Sequence, residues 1–114
     1  MHELSTCQKL IRELEEIAIH YPGHKLTHIR LSVGALARVD VNELQELFPL
    51  AAKDTFANQA ILSIESIPIE VLCPKCGTSS QVTANDLRCK QCSYEKTTVI
   101  SGTDMLIEDV TFEA

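Results

Sequence analysis

The sequence predicts an α+β fold: a three-stranded sheet covered by two helices, with a four-cysteine zinc ribbon inserted before the last strand. Three observations carry this prediction. Apolar residues recur at helical spacing in two places, and three β-type runs accompany them, one between the two and two after the second. Four of the five cysteines form two matched pairs, Cys73-Pro-Lys-Cys76 and Cys89-Lys-Gln-Cys92, with twelve residues between the pairs. With 114 residues, the chain has room for one α/β domain and a small metal-stapled appendage.

Taken in order, Leu4, Cys7, Ile11, Leu14 and Ala18 recur at intervals of three and four, widened by Leu10 and Ile17. That is an amphipathic helix with Glu13, Glu15 and Glu16 on its wet side, ended by Pro22-Gly23. Cys7 falls on the apolar stripe and is predicted to be a core residue. A strand follows, in which Ile29, Leu31 and Val33 alternate with His28, Arg30 and Ser32, and Gly34 marks a bend. Asp40-Val-Asn-Glu43 reads as a helix cap, and Leu44, Leu47, Phe48 and Ala51 supply the second helical face. Pro49 lies within that pattern and is expected to kink or divide the helix. One β run covers Ile61 to Val71 and leads into Cys73. Another covers Val99 to Phe112, with Gly102-Thr103-Asp104 as a bulge or turn. The expected domains are therefore residues 1–71 plus 98–114, interrupted by a ribbon over 72–97.

Two residues between cysteines let one tight turn aim both sulfurs at a single point, and two such turns make a tetrahedral site. Paired CxxC motifs late in a chain without a secretory signal argue against disulfides. Single redox CxxC motifs open helices, whereas Pro74 and Gly77 indicate turns. Iron in a rubredoxin-like site shares the sulfur geometry and stays open as an alternative. The expectation is one structural zinc held by Cys73, Cys76, Cys89 and Cys92. Four thiolates leave no open coordination position, so the site holds structure and performs no catalysis.

The formal net charge of −6 disfavours a polyanionic partner, so nucleic acid is not expected. Lys75, Arg88, Lys90 and Lys96 cluster locally near the ribbon and read as a solvated rim. No apolar run is long enough to span a membrane and no signal-peptide core is present; with free cysteines, this suggests a reducing cytoplasm. The sequence contains no catalytic triad, phosphate-cradling glycine loop or poised carboxylate pair, so the expectation is a protein that is not an enzyme.

The first residues, Met1-His2-Glu3, form a second constellation. A terminal amine, a backbone amide and a second-position imidazole can close small chelate rings, a nitrogen-rich planar set suited to Ni(II) or Cu(II). His20, His24 and His28 flank Pro22-Gly23 and read as surface residues around a turn.

Taken together, Met1-His2-Glu3-Leu4-Ser5, Ser32-Val33-Gly34, the CxxC pairs and the segment from Gly102 to Glu108 resemble the HypA/HybF family of nickel metallochaperones. The resemblance runs the whole length of the chain, in order. It implies a nickel-binding α/β domain with an inserted zinc ribbon and delivery of Ni(II) during maturation of [NiFe]-hydrogenase, in some organisms also of urease. The implied partners are the nickel-binding GTPase HypB, the hydrogenase large subunit and urease maturation proteins. By position, His2 would be the principal nickel ligand, with the Met1 amine, Glu3 and Asp40 completing the site. One departure is Ser93, where a glycine commonly follows the last cysteine; a positive φ costs serine roughly 1 kcal/mol more. The competing reading is a zinc-ribbon module that binds protein or nucleic acid and has no nickel function. A second competitor is an electron carrier with iron in the four-cysteine site.

Overall fold

The computed structural model describes residues 2–114, with His2 described by its backbone alone. The first helix, α1, spans His2–Ala18. Its apolar stripe buries Cys7, Leu10, Ile11 and Leu14, while Leu4 stays partly exposed at the outer end. Beyond Ala18 the backbone tapers through three-residue turns, His20 N–H to the Ile17 carbonyl and Tyr21 N–H to that of Ala18. Gly23 then supplies a positive φ of 79°, as the Pro-Gly signal predicts.

Strand β1, Lys25–Gly34, buries Leu26, Ile29, Leu31 and Val33. Helix α2 runs over Val41–Ala52. Asp40 caps it: the Asp40 carboxylate accepts the Glu43 N–H at 3.1 Å, which satisfies one donor that the helix start leaves open. Of the two outcomes expected at Pro49, division does not occur, because the helix stays undivided through it. The proline lies in the last turn, so its missing N–H removes one bond, to the Gln45 carbonyl, only three residues before the helix ends. Leu44, Phe48 and Ala52 are buried from this helix. Truncating Phe48 to alanine would cost about 3–5 kcal/mol.

The two long β runs are each divided. The first gives β2, Ile61–Ile67, and β3, Ile69–Leu72, with Pro68 between them. The second gives β5, Thr98–Ser101, and β6, Met105–Glu113, parted at Gly102-Thr103-Asp104. A short strand, β4 (Ser79–Val82), completes the set. The strands form two three-stranded sheets, in the orders β2-β1-β6 and β4-β3-β5. In the second sheet β3 is central, antiparallel to both neighbours, with a register shift between Glu70 and Val71 opposite β5.

The chain divides into two compact units. The first comprises Met1–Leu31, Val39–Ile64 and Ile107–Ala114; the second comprises Ser32–Arg38 and Glu65–Leu106. The second is thus wider than residues 72–97. It has a small core of its own, Ile69, Val71 and Val82, joined by Leu36, Leu87 and Val99. Within it two glycines allow a close crossing. A Cβ on Gly34 would lie 2.2 Å from the Gly102 carbonyl carbon, and one on Gly102 would lie 2.6 Å from the Pro68 oxygen. Only bare backbone fits there.

Candidate metal centre

The two cysteine turns have nearly the same backbone. In the first, the Cys73 N–H donates to the Thr78 carbonyl at 3.0 Å and the Gly77 N–H to the Cys73 carbonyl at 2.8 Å. In the second, Cys89 N–H reaches the Tyr94 carbonyl at 3.0 Å and Ser93 N–H the Cys89 carbonyl at 2.8 Å. Each turn closes on a residue with left-handed φ, 77° at Gly77 and 66° at Ser93. The strained serine anticipated from the sequence is therefore present, in an otherwise matching loop.

This repetition sets the sulfurs crosswise. Cys73 and Cys89 are buried, Cys76 and Cys92 exposed. Each buried sulfur lies 3.6 Å from the exposed sulfur of the opposite turn, Cys73 with Cys92 and Cys76 with Cys89. All four ligand atoms lie within 4.8 Å of one another. A tetrahedron with metal–sulfur bonds of ~2.3 Å requires sulfur separations of ~3.8 Å. The two 3.6 Å separations lie close to that value and the rest are within 4.8 Å, so the quartet fits zinc, and an all-thiolate donor set suits a soft or borderline cation. When bound, zinc would supply a rigid four-way crosslink between the two turns.

The sulfurs are not electrostatically equivalent. The Thr78 hydroxyl and N–H both donate to Cys76 and, with bonds from the neighbouring sulfurs, pull its thiol down to about 6. At Cys92 the Tyr94 N–H pulls in the same direction, yet desolvation and the three neighbouring sulfurs outweigh it and push the thiol up to about 11. Hydrogen bonds favour the thiolate, whereas lost hydration and crowding favour the thiol. Thr78, two residues beyond a cysteine, was a readable signal that the sequence reading did not use.

Of the N-terminal candidates, Met1 and the His2 side chain lie outside the described residues. Glu3 and Asp40 come together. Glu3, 6% exposed, accepts the Asp40 N–H on Oε1 at 3.1 Å. The Glu3 carboxylate thus sits in the first turn of α1 and against the capped start of α2, near the positive ends of both helix dipoles. Asp40 itself is engaged as the α2 cap. The capping pattern of Asp40 was legible, but a second carboxylate arriving from another helix has no sequence signature. Cys7 is fully buried, its thiol 3.8 Å from the Leu44 carbonyl oxygen, which fits a core residue. His20, His24 and His28 are exposed, and among the described residues the only cluster with metal-holding geometry is the cysteine quartet.

The sequence profile described as "Hydrogenase/urease nickel incorporation, metallochaperone, hypA" matches residues 1–112. The chain belongs to the HypA family. Among HypA-family relatives, the hydrogenase maturation factor HypA of Nitrosospira multiformis is 36% identical over 110 residues, covering 96% of each chain. The hydrogenase maturation factor HybF of Klebsiella pneumoniae is 30% identical over 110 residues, covering 96% of this chain and 97% of its own. The solution structure of the Ni metallochaperone HypA from Helicobacter pylori superposes with a TM-score of 0.69 at 21% identity, covering 98% of this chain and 97% of that one. The HypA architecture thus holds for this chain. The family is one of nickel metallochaperones in hydrogenase maturation. No helix among the described residues is long and apolar enough to cross a membrane.

Proposed function

We propose that this chain captures Ni(II) at its N-terminus and delivers it during [NiFe]-hydrogenase maturation, while zinc at Cys73, Cys76, Cys89 and Cys92 holds the ribbon. The observation that carries the reading is the match to the nickel-incorporation family over residues 1–112, which includes Met1-His2-Glu3. In this proposal the Met1 amine, the intervening amide and the His2 imidazole bind nickel. Glu3 and Asp40 meet at the joined starts of the two helices. Because each carboxylate already accepts a backbone N–H, they serve the site first by fixing the helix ends, and joining the nickel shell would require an oxygen left over from that task.

In this proposal residues 1–71 plus 98–114 serve as the nickel-binding domain and 72–97 as the zinc ribbon, the ribbon lying inside the wider compact unit that also takes in Ser32–Arg38 and the strands on either side. The proposed partners are the GTPase HypB and the hydrogenase large subunit; urease maturation proteins are a further pair of hands where that enzyme exists. Cargo bound at a chain terminus can be passed on without opening a core. Nickel titration of the wild-type chain against His2→Ala tests the reading. Loss of tight binding in the variant supports it, and equal affinity in both sinks it. An extra residue placed before Met1 moves the amine and is expected to weaken binding as well.

A further inference from the structure

The basic residues near the ribbon are not evenly spread. From Leu72 to Thr97 the chain carries Lys75, Arg88, Lys90 and Lys96 against Asp86 and Glu95. Elsewhere, 14 of the 16 acids face only six of the ten bases. An isolated basic surplus on an acidic protein would ordinarily suggest a docking track for an acidic partner.

The geometry argues otherwise. Two hollows lie beside the cysteine turns. One, of about 350 Å³, is lined by Lys75, Cys92, Ser93, Tyr94, Glu95 and Lys96. The other, of about 230 Å³, places Lys90 and Arg88 beside Cys89. Arg88 is already engaged in a two-pronged pair with Asp86, Nε to Oδ1 and Nη2 to Oδ2, both at 2.9 Å. The Lys75 ammonium stands 5.7 Å from the centre of the Tyr94 ring, covering the aromatic face that a nucleic-acid base would need. Lys75 and Lys96 thus share one hollow with Cys92, and Lys90 shares the other with Cys89. A divalent cation on four thiolates carries a net charge of two minus, equal and opposite to the basic surplus of the segment.

We propose that Lys75, Lys90 and Lys96 are the counter-charges of the metal–tetrathiolate centre, positioned to raise its affinity for a divalent cation. This rests on the reading of the quartet as a zinc site. Two of the four thiolates are exposed, and their charge is offset by mobile ammonium groups in the surrounding water rather than by buried donors. The contribution of each lysine is correspondingly modest and sensitive to salt. Once the metal is bound, no positive excess is left over to attract an acidic chain.

The test uses the full-length chain and zinc alone, competed against a chromogenic chelator at 20 mM and at 1 M salt, the latter with a Debye length of ~3 Å. The variant is Lys75→Gln/Lys90→Gln/Lys96→Gln, and the control is Lys9→Gln/Lys25→Gln/Lys53→Gln, which removes the same charge elsewhere. Cobalt absorption reports whether the tetrahedral sulfur shell is intact in each. The rim variant is expected to keep the cobalt spectrum and to bind zinc about 10–30-fold more weakly at low salt, with the gap closing at 1 M. The control is expected to bind like wild type. Equal affinity in rim variant and wild type overturns the proposal, as does an equal loss in the control or a gap indifferent to salt. Binding of a poly-glutamate peptide to the zinc-loaded wild type, lost in the rim variant, would also overturn it in favour of docking. Failure of the zinc reading looks different: the wild type itself would take up less than one metal per chain, and both claims would fall together.

Discussion

The two cysteine turns share one backbone path but differ at every position where the residue type matters. The first, Cys73 to Thr78, has Pro74 after its first cysteine, Gly77 at the left-handed position and the Thr78 hydroxyl on its exposed sulfur. The second, Cys89 to Tyr94, has Lys90, Ser93 and Tyr94 in the same places. Proline narrows the unfolded ensemble, glycine adopts positive φ freely, and a hydroxyl favours the thiolate. The first turn is therefore stable by its own local chemistry. The second takes the same shape without these local aids, and it is the half that should open first.

Removing an exposed ligand should break this comparison most forcefully. A structural zinc set is worth about 10–16 kcal/mol in all, so losing one of four sulfurs should weaken binding by roughly several hundred-fold. Cys76→Ser is expected to do more damage than Cys92→Ser, because the Thr78 hydrogen bonds favour the Cys76 thiolate, whereas desolvation and the neighbouring sulfurs favour the Cys92 thiol. Chelator competition reads both; equal losses would show that the turns are equivalent.

Exchanging the left-handed residues should act with opposite signs. Ser93→Gly relieves strain, and Gly77→Ser introduces it with no clash, since an added Cβ there meets nothing within 4 Å. Each should shift ribbon stability by about 1 kcal/mol, seen as a rise and a fall in the melting of the zinc-loaded chain.

Next in size is the effect of Thr78→Val on the metal-free chain. Removing the hydroxyl takes away the largest cause of the low Cys76 value, so its alkylation midpoint should move up from near pH 6 toward the ordinary 9.0. The two exposed thiols also oppose each other in the pH dependence of the metal-free fold. Cys76, lowered, contributes stability that is complete above pH 9 and lost as pH falls through about 6. Cys92, raised, contributes stability present below pH 9 and lost as pH rises through about 11.

The smallest effect is expected from Asp86→Asn. Asp86 is held down to about 2 by its hydrogen bonds from Arg88. Freeing that guanidinium beside Cys89 should tighten zinc binding by about twofold at low salt, measured in the same competition. A loss instead would mean that the pair shapes the second turn more than it neutralises charge.

Much of the fold could be read from periodicity, because α1, α2 and the first part of β1 each bury one face and leave the other wet; the end of β1 departs from the expected alternation, with Ser32 buried between Leu31 and Val33. The division of the long β runs could not. Apolar alternation continues across Pro68 and across Gly102-Thr103-Asp104, and nothing local says that the strand on the far side joins a different sheet. Strand β4 has the sequence Ser-Ser-Gln-Val and no pattern to announce it; it is a strand because β3 offers it a partner. At the metal centre the cysteine quartet was visible in the spacing, and the strain at Ser93 followed from the family resemblance, in which glycine commonly stands there. The unequal sulfurs were not, since that difference depends on which donors the folded turns bring to each one.

The crossing of Gly34, Gly102 and Pro68 makes the metal-bearing segment a cassette. The chain departs at Pro68 and returns at Gly102, where their backbones touch, and the Ser101 hydroxyl donates to the Pro68 carbonyl at 3.4 Å. Cutting out Ile69 to Ser101 would leave two ends that a joint of one or two residues can close, provided Leu36, which packs on the removed core, is replaced by a polar residue. A lineage could lengthen, exchange or lose its ribbon at this point without rethreading the rest of the protein.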